Sequence, residues 1–362
     1  MAKTLVKRAF KYRFTPTVQQ ERELLRTFGC VRHVYNMALE ARTAAWYRER
    51  RRVTYAETSA LLTEWKTTDE LAFLNEVSSV PLQQCLRHLQ KAFTSFWEKR
   101  ARYPRYKSRK RGKATAEYTR SAFRYRDGQL TLAKMAEPLA IVWSRPLPPG
   151  ARPATVTVSR DPAGRWFVAL LVETSVGHLP AGEAEVGVDA GLTAFVTLST
   201  GEKVTSPREN EDRARLAVAR RSLARKQKGS RNQAKARRRV ARILARIGDR
   251  RRDFLHKLST RLVRENQTIV IEDLNVRELR SMLEYKTQWY GRRLVVVDRW
   301  YPSTRTCSEC GLLLDRLPAH VRGWTCRRCG AKHDRDVNAA KAILAAGRAV
   351  TACGAGVRPP RH

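Results

Sequence analysis

The stretch from Thr306 to Leu344 reads TCSECGLLLDRLPAHVRGWTCRRCGAKHDRDVNAAKAIL. Two Cys-x-x-Cys knuckles, Cys307 with Cys310 and Cys326 with Cys329, stand fifteen residues apart. Each knuckle offers two thiolates from one turn. A hairpin between them would gather all four, the donor set of a tetrahedral structural Zn2+. Four sulfurs close such a site and leave no open position for chemistry. Gly311 and Gly330 each follow the second cysteine of a knuckle, where a tight turn needs glycine. The alternative is a pair of disulfides, which a basic chain opening on MAKTLVKRAF, without an export signal, disfavours.

Directly after the knuckles, Asp334 and Asp336 precede VNAAKAIL, a run of good helix formers. A carboxylate at a helix start can be a mere cap. Its meaning depends on other acids further up the chain.

The chain has 362 residues, room for two or three domains, and 42% of them are apolar, so it can build real cores. Its charge is lopsided: 72 Lys+Arg against 34 Asp+Glu, a formal +38. Such an excess favours a polyanionic partner, nucleic acid above all, and a membrane surface is the weaker reading. No apolar run approaches the ~18 residues that cross a bilayer. Cys30, Cys85 and Cys353 are scattered and read as inert thiols. Together these features predict a protein of a reducing cytosol.

In the N-terminal half, LVKRAFKYRFT alternates apolar and basic residues and predicts a strand. Thr15-Pro16 predicts a helix start, with Leu24, Leu25 and Phe28 in a first helix. A second helix is expected after Gly29, with Val31, Val34, Tyr35 and Ala38 on one face and Arg32 and Arg42 on others. Thr54 to Trp65 and Val80 to Lys99 predict two more. Then follows EKRARYPRYKSRKRGKATAEYTRSAFRYR, where Arg and Lys alternate with Tyr103, Tyr106, Tyr118, Phe123 and Tyr125. Basic side chains neutralise phosphates and aromatic rings stack on unpaired bases. Arg105, Tyr106, Lys107 and Arg109 are the candidates here, and a solvated loop is the plain alternative. From Gly128 to Glu173 short strands and turns suggest a small β-barrel or sandwich with the helical unit inserted in it.

In the C-terminal half, VGVDAGL (Val186 to Leu192) places Asp189 inside a strand, where burial is costly unless something positive meets the carboxylate. A turn Asp at a strand end is the alternative. Arg208 to Leu262 is the most basic block, split by Gly229-Ser230 into a helical hairpin. Its second arm has an apolar stripe of Val240, Leu244, Ile247, Leu255, Leu258 and Leu262. On the other face Arg237, Arg238, Arg242, Arg246 and Arg250 are expected to meet phosphates. QTIVIEDL predicts a buried strand ending on Glu272 and Asp273, and RLVVVDRWY a further strand leading into the knuckles. Strand Asp189, strand Glu272 and helix Asp336 follow the order of ribonuclease H-like nucleases. Three acids at one sheet edge repel unless cations lie among them. Two Mg2+ ions, hard and oxygen-seeking, would activate a water and stabilise the leaving oxygen of a phosphodiester.

GVDAGL, RRDFLHKLST, IVIEDLN, EYKTQWYGR, YPSTRTCSECG, WTCRRCG and HDRDVNAAKAIL, with VSSVPLQQCL and YPRYKSRKR, resemble the TnpB family over nearly the whole chain. These are transposon-encoded RNA-guided DNA nucleases related to type V CRISPR effectors. The resemblance implies an α+β multidomain protein. A wedge-like β-barrel (1–14 and 120–180) would carry a helical recognition domain (15–119). A RuvC nuclease domain (181–302 and 331–362) would carry a zinc-finger insertion (303–330). It implies a catalytic triad of Asp189, Glu272 and Asp336, with Asp273 and Asp334 as neighbours. It implies as partners a guide RNA from the transposon end and target double-stranded DNA, bound by a monomer with its RNA. Readers of a short motif beside the target fall around Tyr55, Ser59 and Gln83. One departure is plain: only Asn275 to Leu283 bridges Leu274 to Glu284, where family members carry a longer segment. This raises a second expectation, an RNA-guided binder impaired in cutting. A DNA transposase acting on element ends is a third.

Overall fold

A computed structural model describes residues 3–109, 113–191, 194–207, 210–273, 277–318 and 320–352. Leu192, Arg208, Leu274 to Val276 and Cys353, named above, lie outside the described residues. The chain divides into two compact units, one spanning Leu5–Thr174 and the other formed by Ser175 onward with the first four residues.

In the first unit β1 (Lys3–Thr15) buries alternate residues, Phe10, Tyr12 and Phe14 among them. The helix start lies later than Thr15-Pro16 suggested. Thr17 is the cap of α1 (Val18–Glu49): its hydroxyl accepts the Gln20 N–H, and the Gln20 side-chain Oε1 accepts the Thr17 N–H. Nor does the helix break at Gly29; it runs unbroken for 32 residues. A helical glycine costs about 1 kcal/mol, which burial of Phe28, Cys30 and Val31 on either side offsets. α2 (Tyr55–Trp65), capped by Thr54, a 3-10 turn (Asp69–Glu76) and α3 (Ser79–Trp97) pack on α1 around Val34, Leu39, Leu74, Leu82 and Leu86. Arg42 does not face outward: it is 5% exposed, stacked over Phe93 and bonded to Gln90.

The helical stretch ends well before residue 119. Residues 114–119 form β2 (Ala114–Thr119), which opens a run of strands: β3 (Phe123–Arg126), β4 (Gln129–Leu132), β5 (Ala140–Val142), β6 (Pro153–Arg160) and β7 (Trp166–Gly177). Five of them order as β2-β6-β7-β1-β5, while β3 and β4 form a separate hairpin. Among the described residues no pairing joins β2 to β5, so the sheet is open and the expected closed barrel is not formed. Tyr118 belongs to the core of this sheet, with Phe123 and Tyr125 packed against it. Of the five aromatics read as stacking platforms, only Tyr103 and Tyr106 are exposed.

The second unit is a mixed sheet with helices on both faces. β8 (Glu185–Asp189), β9 (Val196–Leu198) and β10 (Lys203–Val204) run antiparallel. The hairpin α4 (Asn210–Ala224) and α5 (Arg231–Glu265) then leads to β11 (Thr268–Glu272), parallel to β8. After α6 (Arg277–Tyr290), β12 (Arg293–Val297) pairs parallel with β11, giving the order β10-β9-β8-β11-β12. Alternation along β11 decides the layers. Ile269 and Ile271 pack with Leu255, Leu258 and Leu262 of α5 and Leu283 of α6. Val270, facing the other way, packs with Ile343 of α7 (Arg335–Ala352). Lys286, buried in α6, ties it to α5 by donating to the His256 carbonyl, Ser259 and Thr260.

Two glycines set how closely α7 lies on the sheet. A Cβ at Gly187 of β8 would fall 2.1 Å from the Ala340 carbonyl oxygen, and one at Gly347 would fall 2.5 Å from a Val270 methyl. Ala339 and Ala340 are fully buried at this seat. The α5 stripe is buried only from Leu255 onward; Leu244 is 44% exposed. Along the free arm α5 packs mainly on α4, and there Asp212, buried, receives Arg250 at 2.6 Å and Arg246 at 3.9 Å. Both arginine side chains face Asp212 yet remain more than half exposed. No helix among the described residues is long and apolar enough to cross a membrane.

Candidate functional site

The four cysteine sulfurs lie within 4.8 Å of one another, with Cys307 to Cys329 at 3.7 Å and Cys310 to Cys326 at 3.6 Å. A tetrahedron of Zn–S bonds near 2.3 Å has edges of about 3.8 Å, so the set fits Zn2+ and no disulfide is formed. Gly311 and Gly330 take φ of +74° and +73°, as the turns required. β13 (Gly323–Thr325) and β14 (Lys332–Asp334) are the hairpin that carries the second knuckle. His333, which the sequence reading passed over, sets its Nε2 3.2 Å from the Cys307 sulfur.

Asn338 joins this centre to α7. Its side chain is buried, accepts the Ser308 N–H at 2.9 Å and donates to the Thr306 carbonyl at 2.7 Å. The first knuckle is thus fastened to the helix that begins beside Asp336.

The two aspartates at that helix start separate by role. Asp334 is the cap, its Oδ1 accepting the N–H groups of Asp336 and Val337 at 3.1 Å, and its Oδ2 takes Lys203 at 2.7 Å. Against the pull of burial, Lys203 and these N–H groups hold the carboxyl below its usual range. Asp336, in the first helical turn, is left with Arg322 at 3.5 Å.

Asp189 and Glu272 end neighbouring parallel strands, and the residues just before them, Val188 and Ile271, are paired partners. Burial, and then the Asp336 charge, raise the Asp189 carboxyl to about 6; Arg335 and the Ala190 N–H oppose the rise. Burial raises Glu272 to about 7, helped by Asp189 and Asp298 and opposed by Ser303. All three acids therefore belong to one electrostatic neighbourhood at the sheet edge, although the four sulfurs are the tighter set. Asp298 was missed. The signal was present, since Glu272 pairs with Val297 and the following residue must sit at the same edge. Asp273 is taken up by Arg280 of α6.

The other candidates are scattered. Tyr55 at the start of α2 accepts from Arg87 of α3 at 3.3 Å, and exposed Gln83 lies one turn before Arg87. Ser59 is half-buried one turn further along α2. Arg105, Tyr106 and Arg109 are exposed, but Lys107 turns inward, its ammonium 3.8 Å above the Tyr35 ring and its backbone held by Asn36. Arg237, Arg238 and Arg242 are exposed on α5.

Residues 169–283 match the OrfB IS605 family, described as a probable transposase, and residues 277–343 match the Cas12f1-like TNB domain. Residues 1–51 match a helix-turn-helix domain, although residues 3–49 form one strand and one unbroken helix. A protein of Streptomyces pristinaespiralis, provisionally named RNA-guided DNA endonuclease, is 66% identical over 376 residues, covering 99% of this chain and 93% of its own. The InsQ protein of Escherichia coli strain K12, with the same provisional name, is 33% identical over 403 residues, covering 98% and 95%. The solved Cas12f1–sgRNA–target DNA complex resembles the fold with a TM-score of 0.61 at 11% identity, over 94% of this chain and 99% of that one. These relationships and the sheet-edge acids beside a four-cysteine knuckle define a class, the compact effectors with a RuvC-like fold. The chain belongs to the TnpB family.

Proposed function

We propose that this protein is a transposon-associated RNA-guided DNA endonuclease whose cutting centre is Asp189, Glu272 and Asp336 on a ribonuclease H-like sheet. The carrying observation is the gathering of these acids at the ends of β8 and β11 and the start of α7, where burial first, and a neighbouring acid's charge next, lift the Asp189 and Glu272 carboxyls to about 6 and 7. Carboxylates in that state favour an added cation, and their hard oxygens suit Mg2+. Divalent ions held there would lower the pKa of a water and neutralise charge on a cleaved phosphodiester. Asp334 caps the helix and Asn338 fastens it, so both position Asp336. The four cysteines would hold a structural Zn2+. Within the proposed division, residues 15–119 would recognise the target and its adjacent motif, with Tyr55, Ser59 and Gln83 as readers. Residues 1–14 and 120–180 would form the wedge. The exposed arginines Arg237, Arg238 and Arg242 would track the backbone of guide RNA or DNA.

The test is to express the chain with its flanking transposon DNA, purify it and sequence the RNA that accompanies it. One discrete RNA with a constant scaffold and a variable end is expected, and a complex rebuilt with a chosen guide should cut a matching duplex in Mg2+. Random cellular RNA lost at modest salt would overturn guided targeting, and strand transfer without RNA would favour the transposase reading. The short stretch of sequence between Leu274 and Glu284 supports a second reading, a guided binder that does not cut. Target that is bound and unwound yet uncut in Mg2+ or Mn2+ would establish it.

A further inference from the structure

Within the unit Leu5–Thr174, the C-terminal ends of α1 and α3 enclose a cavity of about 290 Å³. Its walls are aromatic: Trp46 from α1, Phe93, Phe96 and Trp97 from α3, and Tyr103 beyond it. Tyr103 stands edge-on to Phe93 and Phe96 at 5.5 and 5.3 Å, and its hydroxyl meets Thr43 at 2.9 Å. Trp46 and Trp97 remain 39% and 43% exposed at the opening. Such walls are built for a flat ring.

Arg42 also lines this cavity. The residue is 5% exposed, and one guanidinium nitrogen, Nη2, donates to Gln90 at 2.5 Å. Phe93 lies under its face at 4.9 Å. Its Nε and Nη1 are buried and have no hydrogen-bond partner among the described residues. A guanidinium keeps its charge and can only donate, so two unanswered N–H groups carry a full desolvation cost until an acceptor arrives. At the mouth Arg52 lies over Trp97, while Arg51 is shared between Glu49 and Glu57. Aromatic walls, a donor-only interior and a cation at the entrance match one common ligand class, a nucleotide with acceptors on its base edge. Guanine presents two acceptors, O6 and N7, on one edge, whereas adenine and cytosine each place an amino donor there.

We propose that this cavity accepts a single unstacked guanine nucleotide, with the base between the aromatic walls, its O6 and N7 edge toward Arg42 and its phosphate toward Arg52. The proposal rests on the nucleic-acid reading only for the source of the base, and free nucleotides test it without any guide or cutting. The full-length protein, freed of nucleic acid, is titrated by equilibrium dialysis with GMP, dGMP, AMP, UMP and inorganic phosphate. GMP should bind about tenfold or more tighter than AMP or UMP. Equal binding of GMP and dGMP assigns recognition to the base and admits either strand type as source; a GMP preference assigns it to RNA. Arg42→Met should lose this preference while keeping the thermal melt, since an apolar chain of similar length removes the unpaired donors. Trp97→Leu, at the rim and away from the core, should weaken all nucleotides together. Binding that is absent, equal for every nucleotide and phosphate, or unchanged in both variants overturns the proposal. Wild-type guided cutting without GMP binding would sink this inference and leave the function standing; GMP binding without guided cutting would do the reverse.

Discussion

The four sulfurs and the three carboxylates share one helix, α7, yet they are opposite kinds of site. Around Cys307 every sulfur is within 4.8 Å of the others, and the surrounding turns use positive φ at two glycines to keep them there. Around Asp189 the groups are coupled through their charge, and two of them are lifted well above the ordinary carboxylate range. The first site is complete in shape and closed to substrate. The second, raised by burial first and by neighbouring acids next, gains by taking up a cation. One helix serves both, since Asn338 grips the knuckle two residues after Asp336.

That contrast can be broken from either side. The largest effect should come from Asp189→Ala: guided cutting should fall about 10³-fold or more with RNA retention unchanged, and loss of RNA retention instead would make the acid structural. Cys307→Ser should release zinc and lower the melting temperature of the second unit, because structural zinc contributes folding free energy outright; an unchanged metal content would refute the knuckle. The third effect concerns pH. Both raised carboxyls make the metal-free fold most stable below about pH 4, and that stability is lost as pH climbs through about 6 for Asp189 and about 7 for Glu272. Asp189→Asn cannot ionise, so without metal it should exceed the wild type at pH 8 by on the order of 2 kcal/mol and match it at pH 4; melts at both pH values decide this. The smallest effect belongs to Asp334→Ala, which removes a cap. It should cost about 1 kcal/mol and leave cutting within about tenfold of wild type, against the near-total loss expected at Asp336.

Legibility followed the range of the interaction. Cys-x-x-Cys spacing, the strand ending on Glu272 and the Gly229-Ser230 break are local patterns, and each could be read from the chain. The choice of Asp336 over Asp334 came from a family likeness, and the cap bonds that occupy Asp334 accord with it. What could not be read were partners brought in from elsewhere. Arg42 and Lys107 look like surface cations until Gln90, Phe93 and Tyr35 close over them. That Asp212 of α4 would face Arg246 and Arg250 could not be read from the chain either. Gly29 reads as a helix break because propensity is local, whereas the burial that carries α1 through it is not. Asp298 needed only the register of β12 on β11, which no single strand displays.

The two glycines at the seat of α7, Gly187 on the sheet and Gly347 in the helix, differ in how evolution could replace them. At Gly347 the obstacle is the Val270 side chain, 2.5 Å from where a methyl would go. Gly347→Ala should therefore be eased by Val270→Ala, which removes both methyls and leaves only the Val270 Cβ, 3.1 Å away. At Gly187 the obstacle is the carbonyl oxygen of Ala340, 2.1 Å away, and every amino acid has one. No second substitution at that position can make room, so Gly187→Ala should cost about 3 kcal/mol or more without a local suppressor. Drift along the chain is thus open at one end of this helix and barred at the other, the end that leads to Asp336.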